Sequence, residues 1–188
     1  MTIFEHIQAF VSILAGLAVA RLLHALPFVF LKERRFWIHS LIFIYTISNV
    51  IAIWWGTMSQ MLVEQWNILK FSIYIFIFST VYLQCDIVSP SNAENINSWK
   101  EYFSKIRFKF YLTYLFCNLS LFINQVYVLP VGLTLETTFI HSIWAILCIL
   151  GMLYTNIWIQ GLVTSLLFFF SFFNGFFLLY SEMSTGQT

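Results

Sequence analysis

The chain has 188 residues, of which 60% are hydrophobic, 20% aromatic and only 9% charged, with a formal net charge of +1. Soluble domains carry about a quarter of charged residues, so an ordinary soluble fold is excluded, and a nearly neutral chain makes no general case for nucleic acid as a partner. Cys85, Cys117 and Cys148 lie in or beside apolar runs without CxxC spacing and read as small buried residues, neither a disulfide framework nor a metal site.

The first apolar stretch, residues 3–31, is long enough for a helix to cross a bilayer core, which takes about 20 apolar residues. It also holds unusual polar chemistry in Glu5, His6, Gln8, Arg21 and His24. Ser12, Gly16 and Ala20 recur at spacing four and form a ridge of small residues on which a neighbouring helix can pack closely; Gln8 and His24 continue the row at either end. Polar side chains in hydrocarbon need a protein partner or a wet cavity, so this helix is expected inside the bundle. Arg21 lies deep if the span covers 8–30 and at the boundary if it covers 3–23. Pro27 favours the second, because it removes a backbone donor and is expected to bend the chain along the interface, leaving Arg21 to snorkel.

A basic loop follows, Lys32, Glu33, Arg34 and Arg35, before a second run over 36–55, with Trp37 at one end and Trp54 and Trp55 at the other, as in aromatic belts. Residues 56–70, with Glu64, Gln65 and Trp66, read as an outer connection with some interfacial helix, and the third run covers 71–88. The longest polar stretch opens with Pro90 and Asn92. Ser98 and Glu101 then fit a capping box. Trp99, Phe103, Ile106 and Phe110 recur at helical spacing among Lys100, Lys105, Arg107 and Lys109, the pattern of a basic helix over 98–109 lying on an anionic surface and feeding into the fourth span, 110–129. Pro130 and Gly132 end that span; 138–158 and 161–180 form the fifth and sixth, with an uncharged turn near Asn156 and Gln160.

Runs near 20 residues fit helices and not the shorter alternating strands of barrels, so the fold class is all-α, a single polytopic transmembrane bundle of about six spans. Lys and Arg concentrate in the first and third connections, which the positive-inside rule puts in the cytoplasm, with both termini outside. Trp37-Ile38-His39-Ser40-Leu41 and Phe139-Ile140-His141-Ser142-Ile143 open the second and fifth spans, a short echo compatible with inverted halves and equally with chance.

Phosphate-binding glycine loops, HExxH and nucleophile elbows are absent from the sequence, so no catalytic, cofactor-binding or metal residues are assigned. His6, His24, His39 and His141 could supply a haem pair, although lone interfacial histidines are more often hydrogen-bonded side chains. Asp86 closes the third span at the level of Arg21, and an Arg21–Asp86 pair is expected to join the first and third helices. Glu5, His6, Glu64, Glu136 and His141 could form an acidic outer mouth, against which stands the simpler reading of separately solvated loop residues. Asn118, Asn124, Gln125, Asn156 and Asn174 read as interhelical hydrogen-bond glue, and the phenylalanine-rich last span carries Ser171, Asn174 and Gly175 as a small polar stripe suited to a subunit contact.

SILAGLAVARLL, the basic turn into FWIHSLIFIYTISNVIAIWW, YLQCDIVSP and WKEYFSKIRFKFY together resemble a widespread group of uncharacterised small bacterial membrane proteins. The resemblance covers residues 5–115, implies a bacterial inner membrane, and transfers no functional residues. The expected function is a homo-oligomeric channel or transporter of an ion or small solute, with Glu5, Gln8, Arg21, His24, His39 and Asp86 as candidate polar residues. A sensor or accessory subunit with a protein partner on the basic connection is the second expectation, and a haem-containing or lipid-modifying enzyme the third.

Overall fold

A computed structural model of the chain describes residues 3–31, 33–63, 65–129 and 133–184, and only the backbone of 59, 61, 62 and 174–184. Six helices follow in order: α1 (Ile3–Val29), α2 (Trp37–Trp55), α3 (Ile68–Val88), α4 (Trp99–Ile123), α5 (Leu135–Leu153) and α6 (Ile157–Ser184). A 3-10 turn, Gly56–Leu62, follows α2, and α4 runs into a π-helical turn, Asn124–Val128. Helices α1 to α5 are each long and apolar enough to cross a membrane, and Ile157–Phe173 supplies a shorter apolar segment in α6.

Local signals set several helix starts. Asn67, Ser98 and Thr134 each accept a hydrogen bond from the backbone N–H three residues on, at Lys70, Glu101 and Thr137, which satisfies a donor that the first turn leaves open. These caps start α3 and α5 three residues earlier than the hydropathy runs suggest. Pro27 lies inside the last turn of α1 and does not turn the chain along an interface.

The helices form a closed ring in the order α1, α3, α4, α5, α6, α2, with α2 also touching α3 and α4. Inside, Phe43 and Tyr45 of α2 join Trp99, Phe103, Phe110 and Tyr111 of α4 in a core of large, fully buried rings. The stripe expected to lie on a membrane surface therefore packs inward: Trp99, Phe103, Ile106 and Phe110 are all buried, and 98–109 is the first part of one continuous helix. The outside is apolar as well, with Ile13 64%, Leu23 60% and Leu153 71% exposed. Exposed apolar surface of this extent is the mark of a surface that meets lipid or another protein.

The first and third connections meet at one end. Arg34 donates from Nη1 to the carbonyls of Glu94 (2.7 Å) and Ile96 (3.2 Å), and the Trp99 N–H reaches the Arg34 carbonyl. The α5–α6 turn joins them there, held by Arg107 of α4, whose Nη1 donates to the carbonyls of Gly151 (2.7 Å), Met152 (2.9 Å) and Tyr154. Gln160 adds bonds from Nε2 to Gly151 (2.8 Å) and Tyr154. These donors close the last turn of α5 at Leu153, short of the predicted 158.

Candidate functional site

Charge concentrates on the flank of the ring, between α1 and α3. Arg21 Nη2 and Asp86 Oδ1 stand 3.0 Å apart, with the two side chains 34% and 43% exposed. Tyr82, one turn before Asp86, is a hydrogen-bonding neighbour of the same guanidinium. Leu17, Ala20, Arg21, His24, Tyr82 and Ser91 line a shallow, open groove of about 240 Å3, and Asp86 stands beside it as the partner of Arg21. Mutual neutralisation lets both charges stay on an apolar flank.

The rest of α1 faces the other way from expectation. Its buried row is Ile7, Val11, Ala15, Ala18, Leu22, Ala25 and Val29, in which three alanines allow close approach while the larger residues fill the seam with α3 and α2. Gly16 and Ala20 are exposed, Ser12 is half-buried, and a Cβ placed on Gly16 would have nothing within 4 Å. Within the chain, then, the Ser12–Gly16–Ala20 ridge does not carry the packing. Glu5 and His24 are exposed as well, His24 resting edge-on against Phe28. Gln8 turns inward and donates from Nε2 to Thr57 Oγ1 at 3.0 Å, tying α1 to the 3-10 turn.

The interior holds a second polar system. Asn49 Nδ2 of α2 donates to Gln84 Oε1 of α3 at 3.3 Å, and Gln84 Nε2 reaches the Thr113 carbonyl of α4 at 3.5 Å, the long end of hydrogen-bond range. Tyr111 OH and Thr164 Oγ1 join α4 to α6 at 2.9 Å, and Ser171 donates to Tyr45 OH at 3.4 Å. Ser171 thus faces inward and not toward a subunit contact. Asn118 donates from Nδ2 to the His141 carbonyl (3.0 Å), which fixes its Oδ1 as an acceptor for His141 Nδ1 at 2.6 Å; Gln125 Oε1 lies 2.9 Å from Nε2.

His39, at the opposite end of the bundle from His141, is fully buried and stacked on Trp99 at 4.4 Å and 19°, with Tyr102 edge-on at 5.8 Å. Its ring nitrogens meet no partner in strict hydrogen-bond geometry, and the Val88 backbone is their polar neighbour. The two similar five-residue motifs therefore sit in different surroundings. Among the described residues the expected acidic mouth is not assembled: His141 is buried against α4, and α5 with Glu136 lies across the ring from α1 with Glu5 and His6. Glu64, Lys32, Pro130 and Gly132 lie outside the described residues, and Asn174 and Gly175 outside those with described side chains. The three cysteines are free and buried, and no group of three or more His, Cys, Asp or Glu close enough to hold a metal occurs among the described residues.

Comparison with family models, curated proteins and solved structures finds no match. Sequence reasoning placed the Arg21–Asp86 pair but passed over Asn49 and Gln84, and it read Arg107 as surface charge where it binds carbonyls of α5. A signal for both amides was present, since Asn49 is the single amide side chain of α2 and Gln84 that of α3, and an amide in an apolar span needs an internal partner.

Proposed function

We propose that the protein is a bacterial inner-membrane channel or transporter for an ion or small polar solute, working as a homo-oligomer with both termini outside. The observation that carries this reading is the Asn49–Gln84–Thr113 chain, a buried amide system contributed by three helices and joined by long bonds of 3.3 and 3.5 Å. A solute leaving water needs such weakly committed donors and acceptors inside the bundle. Self-association is supported by the exposed Phe169, Phe172 and Phe173 of α6.

The test is flux into proteoliposomes, followed with potassium, protons and glycerol as separate probes. Asn49→Leu with Gln84→Leu removes both amides together, which is milder than orphaning one. Loss of a flux seen with the unaltered chain, at an unchanged melting temperature, is the expected result. Undiminished flux through the folded variant would sink the reading. The accessory-subunit alternative is favoured by one feature, the exposed Lys100, Lys105 and Lys109 along the basic end of α4, and a single soluble protein recovered with the chain and lost on their replacement by Gln would favour it.

A further inference from the structure

We propose that the groove between α1 and α3 binds a membrane phospholipid whose headgroup carries both a phosphate and a primary ammonium. The inference stands apart from whatever the bundle carries. It begins with polarity: Ser91 lies beyond the end of α3, Arg21, His24 and Tyr82 come next, and Leu17 leads to the exposed apolar flank of α1. A phospholipid has the same order, headgroup at the rim and acyl chain toward the bilayer interior. Gly16 leaves the surface of α1 low at that point, with nothing within 4 Å of a Cβ, so an acyl chain can lie along the helix.

Charge selects the headgroup. Arg21 and Asp86 are paired yet remain 34% and 43% exposed, and a guanidinium has five N–H donors while a carboxylate has about four acceptor positions, more than one contact consumes. A purely anionic group would meet Asp86 beside Arg21, and a purely cationic one would meet Arg21 beside Asp86. A zwitterion answers both. Its phosphate oxygens accept from Arg21, His24, Tyr82 and Ser91, and its ammonium donates to Asp86. A quaternary ammonium has no N–H to give, which makes methylation of the headgroup the discriminating change.

Native mass spectrometry of the full chain released from nanodiscs of equal parts phosphatidylethanolamine, phosphatidylcholine and phosphatidylglycerol reads this directly. Phosphatidylethanolamine is expected to be retained about tenfold over phosphatidylcholine, the ratio one charge-assisted hydrogen bond supplies. Asp86→Asn should bring these two lipids to near parity. His24→Ala with Ser91→Ala leaves the ion pair in place and should lower retention of phosphatidylethanolamine several-fold; this double variant decides the matter if Asp86→Asn fails to fold. Equal retention of the ethanolamine and choline lipids by the unaltered chain, or retention untouched by the double variant, would overturn the proposal. So would an Ala20→Cys chain that cross-links to a second copy while holding no lipid.

Discussion

Arg21 on α1 and Asp86 on α3 are held 3.0 Å apart by helices whose remaining contact is almost wholly apolar, so each charge depends on the other for its tolerance at that flank. Removing one partner leaves an uncompensated charge, whereas removing both does not. Arg21→Gln or Asp86→Asn alone should cost about 2 kcal/mol, less than a fully buried pair because both groups reach the surface. The Arg21→Gln/Asp86→Asn double variant should recover at least half of that in thermal unfolding and folded yield. Harmless single changes would show a snorkelling arginine without a structural partner.

Arg107 acts at a distance of 44 to 47 residues in sequence, closing the end of α5 through three carbonyls. Arg107→Met keeps much of the stem and loses every donor. A loss of about 2–3 kcal/mol is expected, since hydrogen bonds to charged groups exceed neutral ones and the carbonyls would be left partly unsatisfied. Retained stability in a detergent melt would mean that Gln160 alone suffices for the turn.

Gly16 and Gly151 should respond in opposite ways to the same methyl group. A Cβ on Gly151 would meet the Tyr111 ring at 2.5 Å, while one on Gly16 meets nothing within 4 Å. Gly151→Ala should therefore destabilise by about 1–3 kcal/mol through overpacking. Gly16→Ala should be neutral or stabilising by up to about 1 kcal/mol from helix propensity. Gly16→Leu extends the test to what covers that face: an unchanged particle mass in mild detergent is expected, and a smaller mass at an unchanged fold would place a second copy on α1 instead of lipid.

His39 gives a prediction of the opposite sign to most core substitutions. Its ring stacks on Trp99 and its polar neighbour, the Val88 backbone, lies outside strict hydrogen-bond geometry, so His39→Phe keeps the stack and deletes two poorly satisfied buried polar atoms. The melting temperature should hold or rise. A fall of several degrees would show that the contact with the Val88 backbone is a stabilising hydrogen bond.

Sidedness has its own test. The basic end gathers Arg34, the connection before Ser98 and the α5–α6 turn, and the orientation proposed above from the positive-inside rule turns that end to the cytoplasm. A single cysteine at Ser98 should be protected from an impermeant maleimide in intact cells and labelled after permeabilisation. Labelling in intact cells would invert the orientation.

The sequence by itself determined that this is an all-helical membrane bundle, because uninterrupted apolar runs of bilayer length leave the backbone no partner but itself. It also determined the Arg21–Asp86 pair, since charges are so scarce in the spans that few partners exist, and the start of α4, because a Ser98 cap is a local bond. Which face of each helix turns inward was decided by the tertiary structure alone. Lipid and protein interior are both apolar, so periodicity that would orient a helix in water is nearly mute here: Ala15 and Ala18 are buried and Gly16 and Ala20 exposed on the same small-residue helix. The stripe from Trp99 to Phe110 could equally have met lipid, and it turned to the core because the ring of helices offered it Phe36 and His39 as neighbours. The end of α5 carries no proline or glycine stop after Leu153; a guanidinium from α4 supplies it, and no local pattern records a bond made across 44 residues.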